Sequence, residues 1–386
     1  LSLREAEATK QSHEIATLVI TLARNDNINR QGGCAMVLEK KHKIIIGVMI
    51  GVVVLAIAGG VWAYIAYKHR GGANKVPVKF SSDQAVSKLD GTKASKDVAN
   101  RHPLAVMVEN HPDARPQAGL DKASVIYEAV AEGGITRFMA IFGPREADEV
   151  GPVRSARVYF VDWAEEYNAL YAHAGGAQNA LTKISEDNVL DLPHNNTAFW
   201  RREGTGKALE HTLYASVPKL YEYAKSKGYD TTKSDYRGWK FKTDVATASR
   251  PQAGKNATIN FSNSTTYQVQ WKYDPATNLY KRFLAGSEQK DEKSGQQLTA
   301  KNVVIATYTR QAVESGGKTV YTMNSSEGSG EAKVLMDGTV IDGTWKKSGP
   351  KQRTLFYDKS GKEIQFNPGV SWIEIVNPDS GSATVG

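Results

Sequence analysis

The sequence predicts an α+β protein, with an N-terminal α/β subdomain followed by a mostly antiparallel β subdomain, preceded by one transmembrane helix. Three observations lead there. Ile44 to Tyr67 is an uninterrupted 24-residue stretch without a charge. Beyond residue 100, short apolar runs alternate with aromatic residues at helical spacing. From about residue 257 the pattern changes to period-two alternation punctuated by Asp-Gly dipeptides, the signature of strands and tight turns.

The chain has 386 residues, 23% of them charged and 9% aromatic, which excludes wholesale disorder and a polytopic membrane protein. The formal charge of +8 is unevenly placed. Residues 1–75 hold ten Lys/Arg against five Asp/Glu, so the remaining 311 residues carry a surplus of only three. The single cysteine can form neither an internal disulfide nor a Cys-rich zinc site.

Residues 1–43 read as a leader. The chain opens on Leu, and Met36 begins a short basic run, MVLEKKHK, so residues 1–35 are read as an over-extended reading frame. The apolar stretch 44–67 reaches about 36 Å as a helix, enough for a hydrocarbon core of about 30 Å. Twelve of its residues are Ile, Val or Leu, and Trp62, Tyr64 and Tyr67 lie near its C-terminal end, where an aromatic belt would sit. This reads as a signal anchor, single-pass, with the bulk of the chain outside the cytoplasm. Residues 68–100, poor in large apolar side chains, read as a flexible tether.

The α/β domain spans 101–245. Strands are expected at Leu104 to Val108, Ser124 to Ala129 and Phe138 to Phe142, a helix over Arg157 to Ala174, and another over Val217 to Lys227. The β-rich domain spans 257–376, with strands at Tyr267 to Tyr273, Asn302 to Tyr308, Thr319 to Met323, Ala332 to Met336, Thr339 to Trp345, Leu355 to Tyr357, Glu363 to Phe366 and Ser371 to Val376. Asp337-Gly338 and Asp342-Gly343 are expected as hairpin turns, and residues 377–386 as a tail.

The polar chemistry concentrates in the first domain. Glu128 and Glu132 flank Ala-Val-Ala, Arg137 follows, and Gly151-Pro152 leads into Arg154 and Arg157. Guanidinium forks beside a helix start suit a phosphate or carboxylate. The competing reading is internal pairing of Arg137, Arg154 and Arg157 with Glu128, Glu132 and Asp162. Glu128 and Glu132 are also candidate acid/base carboxylates, with His173 as their companion. His211 completes the ligand-binding candidates, Arg137, Arg154, Arg157 and His173. No H-E-x-x-H, G-x-S-x-G or P-loop is present, so neither a metal nor a cofactor is expected. Tyr236 to Lys242 form a small aromatic and basic patch, which a strand edge explains as well as base stacking does; nucleic acid is not expected as a partner.

Two long segments, PLAVMVENHPDARPQAGLDKASVIYEAVAEGGITRFMAIF (103–142) and GPVRSARVYFVDWAEEYNALYAHAGGA (151–177), resemble the YerB-like family of bacterial envelope lipoproteins. DGTVIDGTWKK and TLFYDKSGKEIQFNPGVSWIEIV extend the resemblance, which covers residues 101–376. It implies a two-part domain of unknown function outside the membrane of a Gram-positive-type bacterium. No reaction comes with it. It also implies a common polar surface from Glu132, Arg137, Arg154, Arg157, His173 and His211. Ala177 stands where relatives tend to have Ser, and Glu210 and Thr212 flank His211 where they tend to have Pro and Asn. A membrane helix takes the place of the lipidated cysteine.

The leading expectation is therefore a membrane-anchored extracytoplasmic binding module for an anionic wall polymer or an envelope protein. The alternative is a cell-wall-acting hydrolase or transferase using a Glu/His pair.

Overall fold

The computed structural model describes residues 83–386. The anchor expected at 44–67 and the leader lie outside the described residues. Among the described residues no helix is long and apolar enough to cross a membrane.

The chain is ordered from the start of that range, which corrects the expectation of a tether as far as residue 100. Strands β1 (Gln84–Val86) and β2 (Lys93–Ser95) pair as a hairpin. Between them Leu89 is buried, and the Asp90 carboxylate accepts a bond of 2.6 Å from Ser124 Oγ. A short, polar composition concealed these anchors.

Next come β3 (Leu104–Glu109), β4 (Val125–Glu132) and β5 (Ile135–Phe142). Their near-continuous apolar sequences fit strands covered on both faces. Helix α1 covers Val158–Glu165, and strand β6 covers Leu170–His173. The expected helix over 157–174 is thus two elements. Its aromatic spacing holds for α1, where Tyr159, Phe160 and Trp163 are buried. Asn168, at φ 47°, then turns the chain into the left-handed region that ends a helix.

Helix α2 (Gln178–Glu186), β7 (Leu190–Pro193), β8 (Phe199–Arg201), β9 (Leu213–Ala215) and α3 (Val217–Ser226) follow. The α3 start is specified locally: Ser216 Oγ accepts from the Lys219 amide at 3.5 Å, and Pro218 occupies the first turn.

The second half contributes β10 (Ala257–Asn260), β11 (Val269–Asp274), β12 (Leu279–Leu284), β13 (Ser287–Glu288), β14 (Thr299–Ala300) and β15 (Asn302–Thr307). Strands β16 (Arg310–Ser315) and β17 (Lys318–Met323) form a separate hairpin. The chain closes with β18 (Gly328–Met336), β19 (Thr339–Lys347), β20 (Leu355–Asp358), β21 (Ser371–Val376) and β22 (Ser382–Val385).

Ten strands form one sheet in the order β20-β19-β18-β15-β21-β4-β5-β3-β6-β7, so both halves of the sequence share it. Strand β21 is its junction, parallel to β15 on one side and to β4 on the other. A six-stranded sheet, with β13, β12, β11, β10 and β22 in line and β14 on β12, comes from the second half. Alternation assigns the core. Phe138, Ala140 and Phe142 of β5 join Trp271, Trp372 and Leu220 on the face toward the smaller sheet and α3. Met139 and Ile141 join Tyr159, Trp163 and Trp345 on the face covered by α1.

Three expectations about turns and strands resolve as follows. Asp337 and Gly338, at φ 53° and 70°, make the β18–β19 turn. Asp342-Gly343 lies inside β19 instead, where Gly343 is required because a Cβ would stand 1.8 Å from the Tyr357 carbonyl oxygen on β20. Glu363 to Phe366 is not a strand; Glu363 and Phe366 make single bridges to Tyr357 and Phe241.

Candidate functional site

Strands β3, β6 and β7 are mutually parallel, and β4 runs the same way through its antiparallel neighbour β5. Their carboxyl ends, Glu109, Glu132, His173 and Pro193, therefore share one rim. In open α/β sheets this is where ligands enter. The segment Gly151 to Arg157 crosses that rim. Its Arg154 amide bonds the Met107 carbonyl at 3.0 Å, and the Ala156 amide bonds Gly175 O at 2.9 Å, so Arg154 and Arg157 are held between the ends of β3 and β6. Helix α1 begins only at Val158, with Arg157 as its N-cap residue.

A bulge between Val130 and Glu132 interrupts the alternation of β4. Glu132 thereby joins the α1 side of the sheet, where it bridges Arg157 and, at 3.3 Å, Arg137 Nη2. Glu128 serves the opposite face. It is fully buried, accepts from Thr136 Oγ1 at 2.6 Å and Asn110 Nδ2 at 3.1 Å, and pairs with Arg282. The two glutamates thus do not work on one substrate position.

The three rim arginines are partnered, as the competing reading held: Glu132 takes the part expected of it, while Arg154 turns to Glu109, and neither Glu128 nor Asp162 pairs with any of the three. Arg137 and Arg157 share Glu132, and Arg154 Nε meets Glu109 Oε1 at 3.0 Å. Two guanidinium groups on one carboxylate still leave surplus positive charge. Burial lowers the Arg157 pKa and pulls that of Arg137 down to about 10. Beside them the Tyr171 hydroxyl, pushed far above its ordinary range by burial, has no hydrogen-bond partner, and neither does Arg157 Nε. Arg154 keeps about a quarter of its side chain exposed.

His173 is committed. Its Nδ1 lies 2.7 Å from Gly175 O and its Nε2 2.8 Å from Asp191 Oδ1, so neither nitrogen is free for a substrate. His211 is differently placed. Only its Nδ1 is engaged, at 2.9 Å from Glu109 Oε2, and its ring lies parallel to that of His111 at 5.0 Å. Glu109 was absent from the expected site residues, because a lone acid at the end of an apolar run carries no signal until His211 is folded onto it. In the aromatic and basic patch, Trp239 is buried against Arg353 and Phe366, while Arg237 and Lys240 both pair with Glu363.

Fold and rim define an α+β protein built on two large sheets, with charged groups collected at the carboxyl ends of its parallel strands. Models described as the N- and C-terminal domains of a protein of unknown function, DUF3048, match residues 89–230 and 257–373. YerB of Bacillus subtilis (strain 168), whose name assigns it provisionally to the lipoproteins, is 33% identical over 301 residues, 77% of this chain and 87% of that protein. The crystal structure of Bacillus subtilis YerB superposes with a TM-score of 0.69 at 30% identity, covering 78% of this chain and 99% of the other. The chain belongs to the YerB-like DUF3048 family.

Proposed function

We propose that the protein is a membrane-associated envelope module that docks an anionic group, phosphate or carboxylate, of a wall polymer or envelope protein at the Arg137, Arg154 and Arg157 rim. The lipoprotein name of its relative and the apolar stretch at 44–67 support the membrane assignment. The observation that carries the docking reading is the pair of unpartnered buried donors, Arg157 Nε and the Tyr171 hydroxyl, beside two guanidinium groups that share one carboxylate. Buried polar atoms are rarely left unpaired without a reason, and an anion entering here would accept from both. Glu132, with 43% of its side chain exposed, closes the pair in the free protein and yields to the incoming anion.

The test is binding of residues 80–386 to a purified polyphosphodiester wall polymer, with a neutral glycan as control. Arg154→Ala/Arg157→Ala is expected to weaken binding at least about tenfold, each lost charge-assisted bond being worth about 1.5–3 kcal/mol. Glu132→Gln is expected to strengthen it by removing the competitor. Equal binding by the wild type and the folded double variant would overturn the proposal. The Glu/His hydrolase reading gains nothing from the geometry, since Glu128 is enclosed and His173 has both nitrogens occupied.

A further inference from the structure

We propose that His111, Asp113 and His211 form a binding site for a divalent cation of the zinc and late first-row transition-metal class. One ligand atom from each residue lies within 4.8 Å of the others, close enough for side-chain rotation to bring all three onto one ion. Two imidazoles and one carboxylate are the donor set such cations favour, and three protein ligands leave a position open for water or an incoming anion.

The second observation concerns what stands behind the ligands. His211 Nδ1 lies 2.9 Å from the carboxylate of Glu109, which is itself buried and held at 3.0 Å by Arg154 Nε. A proton on Nδ1 directed at a carboxylate leaves the lone pair on Nε2. This carboxylate–histidine arrangement fixes the tautomer and ring orientation of metal-bound histidines. His111 caps the single 3-10 turn Pro112–Ala114 that follows β3, Asp113 lies within that turn, and the Asp113 amide donates to His111 Nδ1 at 3.3 Å. That bond shifts when the cation draws on the His111 ring. The position needs no help from the anion proposal, although Arg154 links the two through Glu109.

The site was illegible in the sequence because its two histidines are 100 positions apart. Glu210 and Thr212 flank His211 and supply no ligand themselves.

The experiment uses the purified full chain, stripped with a chelator and titrated with Zn²⁺ alone, and separately with Co²⁺ to read coordination from its visible spectrum. The wild type is expected to bind one ion per site at micromolar concentration or tighter, with a rise in melting temperature. Asp113→Ala, at an exposed position, is expected to lower affinity at least about 100-fold while leaving the metal-free melting curve unchanged; His111→Ala, which also gives up the stacking on His211 and the cap of the following turn, is expected to lower affinity as much and the metal-free melting temperature slightly. Glu109→Gln, which keeps the shape but not the charge behind His211, is expected to weaken binding about 10- to 100-fold. His194→Ala is expected to change nothing. Absence of binding below about 1 mM, or undiminished binding in His111→Ala, would overturn the assignment.

Discussion

Arg282 on β12 reaches across the core to Glu128 on β4, and neither side chain touches solvent. The same guanidinium meets Glu374 Oε1 at 2.5 Å. Glu128 and Glu374 are direct register partners on β4 and β21, so two acids stand side by side on the large sheet and one cation descends on them from the smaller one. Trp372, Trp271 and Phe138 surround the guanidinium, with ring centroids 4.2, 5.1 and 5.8 Å away. Removing the cation leaves two buried carboxylates without a counter-ion. Arg282→Met is therefore expected to lower stability by about 3–5 kcal/mol in urea titrations, whereas replacing all three with apolar residues of similar volume restores most of it. A loss below about 1 kcal/mol for the single change would contradict this.

Stability should also fall as pH rises. Burial, opposed by Arg282 and reinforced by Glu128, raises the Glu374 pKa to about 8, above its ordinary 4.5. The folded state then holds a proton that the unfolded state releases between those values. This contribution is fully present below about pH 4.5 and is lost as pH climbs through about 8. Melting temperatures measured from pH 5 to 9 should decline in the wild type and decline less in Glu374→Gln, which stays neutral throughout. Parallel curves for the two proteins would rule the explanation out.

Gly343 and Gly361 make a matched pair of probes. A Cβ at 343 would overlap the Tyr357 carbonyl, while at 361 it would meet only open space despite φ 83°. Gly343→Ala is expected to cost at least about 3 kcal/mol, beyond the usual range of about 1–3 kcal/mol for overpacking, and to loosen β20 in hydrogen exchange. Gly361→Ala should cost only the left-handed penalty of about 1–2 kcal/mol. Equal losses would place the cause in backbone conformation rather than in the close approach.

Asn168 stops α1 and frees the chain to enter β6. Asn168→Ala is expected to lose about 1 kcal/mol and Asn168→Gly less than about 0.5 kcal/mol, because only the left-handed backbone is at stake. Thermal melts of the two variants distinguish this from a side-chain contact, which both would remove alike.

Strand identities were legible wherever burial imposed a period. LAVMV, NVVIATY and SWIEIV read as buried strands because nothing but a covered strand explains such short runs, and Asp337-Gly338 announced its hairpin. The stretch from Tyr159 to His173 misled because aromatic residues at helical spacing continue past Asn168 into a strand buried on both faces, where every position is covered anyway. Chemistry was harder to read than fold. Arg154 and Arg157 stood out because they are close in sequence, yet Glu109, His111 and His211 meet only when β3 and the Leu209–His211 turn are packed together. Arg282 showed nothing of its role, since an arginine in an alternating strand reads as solvent-facing until the partner sheet is known.

The placement of β21 has a consequence for how the chain matures. A polypeptide that emerges amino end first completes β3, β4 and β5 long before residue 371 exists, and β4 meanwhile presents a bare row of backbone donors and acceptors on the side that β21 will fill. Glu128 is stranded over the same interval, its guanidinium partner and its neighbouring acid both still to come. The nascent first half should therefore be prone to edge-to-edge association, and a chain that stops between β5 and Ser371 should yield an aggregating product rather than a smaller working one.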